Sequence, residues 1–277
     1  MTDTSQHALW NGPAGEAWVE AQRILDQMFA PLASHLLDSL APGADAQVLD
    51  VGCGTGAVAL GIAASLGPEA RVAGVDISAP MIALARERAQ RAGLAVDFLV
   101  ADAQRHAFAP GRLDRIVSRF GVMFFDDPVQ AFGQLRRAAR RGAVLQALAW
   151  RGAEENAFMT TAERAALPWL ALPPRQPGAP GQFAFADQAR VEQILGDAGW
   201  EDVELLPLDA VCRIDRADLA TYVSLLGPVG SALRNGALAA HIRTQVLDAV
   251  LRAFEPFLDG DCVTFTAACW DVRARAR

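Results

Sequence analysis

The 277-residue chain contains no lysine; all 25 of its basic residues are arginine. That excludes Schiff-base chemistry, lysine-anchored pyridoxal phosphate and the P-loop, whose phosphate-contacting residue is a lysine. Only four cysteines occur (Cys53, Cys212, Cys262 and Cys269), with no C-x-x-C pair and no zinc-ligand spacing. Reduced thiols and no metal centre are expected. No uninterrupted apolar run is long enough to span a bilayer. No basic segment followed by an apolar core opens the chain, where Arg23 is the first arginine, so a cytoplasmic protein is expected. Positive charge is in deficit: 25 basic against 32 acidic residues give −7, which argues against nucleic acid as the main partner. The cluster Arg136, Arg137, Arg140 and Arg141 reads as the last turn of a helix, where cations complement the dipole.

Apolar bulk is plentiful. Hydrophobic residues make up 52% against 21% charged, and 277 residues suit one large domain better than two equal ones. Within it, Val48-Leu49-Asp50-Val51-Gly52-Cys53-Gly54-Thr55-Gly56 reads as a buried strand ending in a glycine turn that opens a helix. A second acid, Asp76, closes the next apolar strand, Val72-Ala73-Gly74-Val75-Asp76. Glycines at such a turn let backbone approach a ligand, and an acid at the second strand's tip can accept both ribose hydroxyls. An adenine nucleoside at the carboxyl edge of a parallel sheet is the expectation. Two cofactors compete for it. Gly52-x-Gly54-x-x-Ala57 satisfies the dinucleotide pattern in degenerate form, but the third glycine falls at Gly56, and Asp50 suits a cationic ligand better than a pyrophosphate.

Residues 1–45 read as a helical cap, with Ile24, Leu25, Met28, Phe29 and Leu32 at helical spacing and Pro42-Gly43 as the stop. Strands at about 47–52, 71–76, 96–100, 113–118 and 143–150 then alternate with helices from Gly56 to Gly67-Pro68, from Ser78 to Ala92 and from Asp127 onward. This alternation demands a mostly parallel sheet with helices on both faces, a doubly wound α/β core over 46–151. Residues 152–186 break the pattern with a short helix and a loop holding Pro173, Pro174, Pro177, Gly178, Pro180 and Gly181. Residues 187–277 complete the core: a helix from Asp187 to Ala198, a strand from Glu201, helices at about 216–226 and 235–255 in an insertion over 215–257, and an alternating strand at 263–267.

The segment Asp50-Val51-Gly52-Cys53-Gly54-Thr55-Gly56 resembles the first motif of class I S-adenosylmethionine-dependent methyltransferases. Gly74-Val75-Asp76-Ile77-Ser78 with Met81, then Ala101-Asp102-Ala103, then the run from Leu113 to Phe125 agree in order and spacing over about 45–150. The leader Trp10-Asn11-Gly12-Pro13-Ala14-Gly15-Glu16-Ala17-Trp18 resembles that of bacterial small-molecule members of the quinone-biosynthesis, or type 11, group. One departure is Arg140-Arg141-Gly142-Ala143, where the family often has Arg-Pro-Gly-Gly; it leaves that turn's shape open.

The resemblance implies a Rossmann-like, seven-stranded, mostly parallel sheet with an antiparallel last strand. It also implies an N-terminal helical cap and helical lid insertions after the fifth and sixth strands. The implied cofactor is S-adenosyl-L-methionine, with S-adenosyl-L-homocysteine as product and a small apolar or aromatic acceptor methylated at oxygen, nitrogen or carbon. Asp76 would hold the ribose and Asp50 would face the amino-acid end, with Gly52, Cys53, Gly54 and Gly56 forming the turn. Ile77 and Met81 would flank the adenine, Asp102 with Ala103 would meet its amino group, and Ser118 and Phe120 would line the methionine side. Trp10, Met123, Phe124, Trp150, Phe183 and Phe185 form the candidate acceptor wall.

No catalytic residue is assigned. His7, His106 and His241 read as packing or solvated side chains, and Tyr222, the only tyrosine, as structural. A monomer or homodimer is expected. Two rivals stand: an NAD(P)-dependent oxidoreductase, opposed by the missing lysine and by Gly56, and a non-catalytic S-adenosylmethionine-binding protein, because methyl transfer needs no diagnostic protein nucleophile.

Overall fold

The computed structural model describes residues 6–40, 45–172, 174–176 and 178–277; the expected stop at Pro42-Gly43 and the loop prolines Pro173 and Pro177 lie outside the described residues. The strands are β1 (Gln47–Val51), β2 (Arg71–Asp76), β3 (Val96–Val100), β4 (Leu113–Arg119), β5 (Ala139–Trp150), β6 (Glu201–Asp215), β7 (Leu258–Asp259) and β8 (Cys262–Arg275). They form one sheet in the order β3-β2-β1-β4-β5-β8-β6, with the two-residue β7 beside β8. Strands β1 to β5 are parallel, and β8 runs antiparallel to both β5 and β6. The mostly parallel, seven-stranded sheet with an antiparallel last strand therefore forms as expected, and β7 is an addition.

Crossover helices α5 (Ala57–Leu66), α6 (Ala79–Ala92) and α7 (Pro128–Ala138) begin and end where local chemistry dictates. Ser78 accepts from the Met81 N–H to start α6, and Gly93, at φ +65°, ends it. Asp127 accepts from the Gln130 N–H at 2.9 Å, with Pro128 in the first turn of α7, and Phe132 and Leu135 are buried below. Strand β5 starts earlier than expected, at Ala139, so Arg140 and Arg141 belong to a strand, and only Arg136 and Arg137 occupy the last turn of α7. Pairing decides this: Ala139 sits opposite Leu113 and Arg140 pairs with Asp114, and Gly142, at φ +83°, takes up the bend.

Strand β6 starts at Glu201 as expected and runs 15 residues, and β8, expected over 263–267, runs 14. Asp271, Arg273 and Arg275 lie beyond the expected strand, and they stand in register with β5 and β6. Asp271 is buried, accepts from Gln146 Nε2 at 3.0 Å and pairs with His35 Nε2 at 2.8 Å. The β5–β8 pairing stops at Trp150 and Cys269, whereas β6–β8 pairing continues to Asp215 and Cys262. A two-stranded ribbon thus projects past the carboxyl edge of the sheet. Helices α8 (Ala157–Ala166), α10 (Leu219–Leu225), α11 (Gly227–Arg234) and α12 (Ala240–Ala253) pack on one another, and Phe158 of α8 stacks on Phe265 of the ribbon at 3.8 Å. Helix α11 was not expected; Pro228 reads as a breaker but occupies the first turn, where its missing N–H leaves no bond unmade. Helix α9 (Gln188–Asp197) starts at Asp187, whose side chain accepts from the Arg190 N–H.

The leader has two parts. Helices α3 (Gln22–Met28) and α4 (Ala30–Asp38) bury Ile24, Leu25, Met28, Leu32 and Leu36 in the core. Helices α1 (Gln6–Trp10) and α2 (Pro13–Glu20) tip over the strand ends instead. Asn11 fastens them: its amide donates to Ile77 O and accepts from Ala79 N, both at 2.9 Å, while Ser78 Oγ donates to Trp10 O at 2.7 Å.

Candidate active site

The strand order reverses between β1 and β4, so the loops leaving their carboxyl ends turn opposite ways and open a crevice. The glycines of the turn serve different ends. Gly52, at φ +65°, has room for no side chain, since a Cβ there would stand 2.5 Å from Gly121 Cα; the loops after β1 and β4 touch backbone to backbone. Gly54, at φ +54°, faces open space, with only Met81 Sδ within reach of an added Cβ, at 3.7 Å.

That space is a cavity of about 280 Å³. Of the expected cofactor residues, Gly52, Gly54, Asp76, Ile77, Met81, Asp102, Ala103 and Phe120 line it. Asp50, Cys53, Gly56 and Ser118 do not. Ser118 is fully buried, donating to Val51 O at 2.7 Å and accepting from Gly121 N at 3.2 Å, so it ties the two loops together rather than facing a ligand. Cys53 packs its sulfur over Gly74, and Gly56 abuts the Phe98 ring.

Asp76 Oδ2 accepts from Gly54 N and Oδ1 from Ser78 N, each at 2.8 Å. Two amides use half of a carboxylate's roughly four lone-pair positions, leaving the others for a ligand in the cavity that Asp76 lines. Burial pushes its carboxyl up from the ordinary range, and the amide bonds oppose that. Asp102 Oδ1 accepts from Gln104 N at 3.0 Å, which curls the loop after β3.

Behind the turn, Asp50 is 1% exposed; Oδ2 accepts from Ala59 N at 3.1 Å, and Oδ1 has no partner among the described residues. Burial pushes its carboxyl up to about 7, against the pull of Arg119. Arg119 was missed in the sequence, although it is the only charged residue between Ile116 and Phe125. It lines the cavity and donates to Phe29 O at 3.3 Å. Burial lowers its pKa, while Asp26 and Asp50 raise it. Phe120 holds a left-handed φ of +68° and stacks on Trp150 at 4.4 Å. Such a conformation persists only where its surroundings enforce it.

A second cavity, about 230 Å³, adjoins the first, and both are lined by Trp10, Trp18, Phe120 and Phe124. Met123 and Trp150 line the second as well. Phe183 and Phe185 do not: Phe183 lies under the Arg175 guanidinium at 5.1 Å, and Phe185 packs on Phe132. Tyr222, expected to be structural, stands on this second wall. Among the histidines, His7 lines the first cavity, His106 packs on Phe108 and His241 is exposed.

Residues 48–142 match the methyltransferase domain family. That match covers less than half of the chain and marks this segment as similar to a methyltransferase domain. Over 112 residues the chain is 38% identical to a demethylmenaquinone methyltransferase of Thermus thermophilus, covering 40% of this chain and 50% of that one. Over 102 residues it is 37% identical to the nocamycin O-methyltransferase of Saccharothrix syringae, covering 36% of each. The chain thus spans half or less of the length of these curated relatives. The solved structure of the YcgJ protein of Bacillus subtilis matches 88% of this chain and 97% of its own with a TM-score of 0.57 at 16% identity, a likeness of fold. The matched segment contains the glycine turn, Asp76, Asp102 and Arg119; Trp10, Trp150, Phe158 and Tyr222 of the second cavity lie outside it.

Proposed function

We propose that this protein transfers a methyl group from S-adenosylmethionine to a small apolar or aromatic acceptor, at oxygen, nitrogen or carbon. The observation that carries this is the Asp76 carboxylate, fixed by two amides and lining a cavity beside the open backbone of Gly54. Asp76 holds the ribose. Ile77 and Met81 flank the adenine, and Asp102 with Ala103 meets its amino group. Arg119 suits the carboxylate of the amino-acid tail, with Asp50 behind the turn balancing its charge.

S-adenosylmethionine supplies a methyl group already activated by the sulfonium charge. The protein's share is alignment and exclusion of water. Trp10, Trp18, Phe120 and Phe124, common to both cavities, present aromatic faces that favour a cation and hold the acceptor beside the donor. Alignment of this kind is worth roughly 7–11 kcal/mol. Helices α1 and α2 act as a cap over the cofactor, and α8 with α10 to α12 as a lid over the acceptor. No helix among the described residues is long and apolar enough to cross a membrane; a cytoplasmic setting, a monomeric or dimeric state and no nucleic-acid partner belong to the same proposal.

Titration with S-adenosylhomocysteine and with NADH tests it. Micromolar binding of the first without the second is the expected result; binding of NADH alone overturns the proposal in favour of an oxidoreductase. Tight S-adenosylhomocysteine binding with no methyl transfer to any acceptor in a broad panel would favour a binding protein.

A further inference from the structure

The second cavity has a chemical signature of its own. Among the described residues no arginine or histidine lines it; Glu163 is its one carboxylate, and Arg175 holds it at 2.7 Å. An anionic acceptor would meet a like charge there and no cation on the wall. Aromatic rings dominate the remainder, including Trp150, Phe120 and Phe158, which suits a flat, neutral molecule. A volume of about 230 Å³ limits it to a compact ring system.

Tyr222 interrupts this apolar wall. Its ring packs tilted against Phe158 at 5.7 Å, and among the described residues the one partner of its hydroxyl is Met159 Sδ at 3.8 Å. A thioether is a weak acceptor, so the hydroxyl of this half-buried side chain has its donor capacity largely unused on the cavity wall. Burial pushes the phenol's ionisation upward, so it stays a donor at neutral pH. We propose that the Tyr222 hydroxyl donates a hydrogen bond to an oxygen of a neutral, planar aromatic acceptor in the second cavity, selecting oxygen-bearing rings over hydrocarbons of the same shape. This rests on the second cavity being the acceptor site of the proposed methyltransferase. Tyr222 is a specificity residue; it takes no part in breaking or forming the methyl bond.

Calorimetric titration with 2-naphthol and with naphthalene, on the free and the S-adenosylhomocysteine-loaded protein, tests it. The wild type should bind 2-naphthol about five- to tenfold more tightly, the strength of one added hydrogen bond. Tyr222→Phe should bind naphthalene as before, lose that preference and keep its S-adenosylhomocysteine affinity. Glu163→Gln and Gln182→Ala, at the other polar side chains of the wall besides the indoles, should keep the preference. Equal binding of both probes, binding of neither, or a preference that survives in Tyr222→Phe overturns the proposal. Failure to bind S-adenosylhomocysteine instead brings down the methyltransferase reading, and the probe comparison on the free protein still reports on Tyr222.

Discussion

The two cavities share an aromatic wall but are made in different ways. The first is directional: Asp76, Asp102 and Arg119 and the bare backbone of Gly54 stand at the ends of adjacent parallel strands. The second is a matter of shape, assembled from side chains as distant in the chain as Trp10 and Phe254 and carrying few polar groups. A charged, hydroxyl-bearing ligand needs groups fixed in direction, and strand-end turns fix them. An apolar acceptor needs only a dry, fitted wall, which many packings could provide.

That contrast can be broken or sharpened by substitution. The largest effect should come from Asp76→Ala, which removes charge-assisted bonds of roughly 1.5–3 kcal/mol each. S-adenosylhomocysteine affinity should fall a hundredfold or more while naphthalene still binds; unchanged affinity would sink the ribose assignment. Next is the pH response set by Asp50. Its folded carboxyl titrates at about 7 against 3.8 unfolded, so the fold favours the protonated form. That stability is fully present below about pH 4 and is lost as pH rises through 7, on the order of 4 kcal/mol in the ligand-free protein. Denaturant melts from pH 5 to 8 should show the fall, and Asp50→Asn should flatten it; an equal slope in both proteins would clear Asp50 of the effect. Gly52→Ala comes third. Its Cβ would press on Gly121 Cα at a left-handed φ, costing about 2–3 kcal/mol by chemical denaturation and disturbing both cavities; a loss below 1 kcal/mol would show that the loops can part. The smallest effect should be at Phe183→Leu, outside both walls, where 2-naphthol affinity should stay within twofold.

The first cavity was largely legible. Asp50-Val51-Gly52-Cys53-Gly54-Thr55-Gly56 and Asp76 named its turn, because strand ends and turn glycines are specified by neighbours in sequence. What was misjudged there was facing. Ser118 points into packing and its neighbour Arg119 towards the cavity, since one step along a strand swaps the side on which a side chain emerges, while Cys53 in the turn packs over Gly74. The second cavity was barely legible. Aromatic residues around the mouth could be named, but Phe183 packs under Arg175 and Phe185 on Phe132, while Tyr222 enters from α10.

Local chemistry alone determined the parallel core, the crossover helices with their Ser78 and Asp127 caps, and the glycine turn at which a nucleoside cofactor would sit. Tertiary structure decided the rest. Past the sheet edge, Phe265 of the β6–β8 ribbon anchors α8 through Phe158, and α10 to α12 pack on one another and on α8. Only that packing of apolar surface, blind to distance along the chain, set Trp10, Trp150 and Tyr222 around one space.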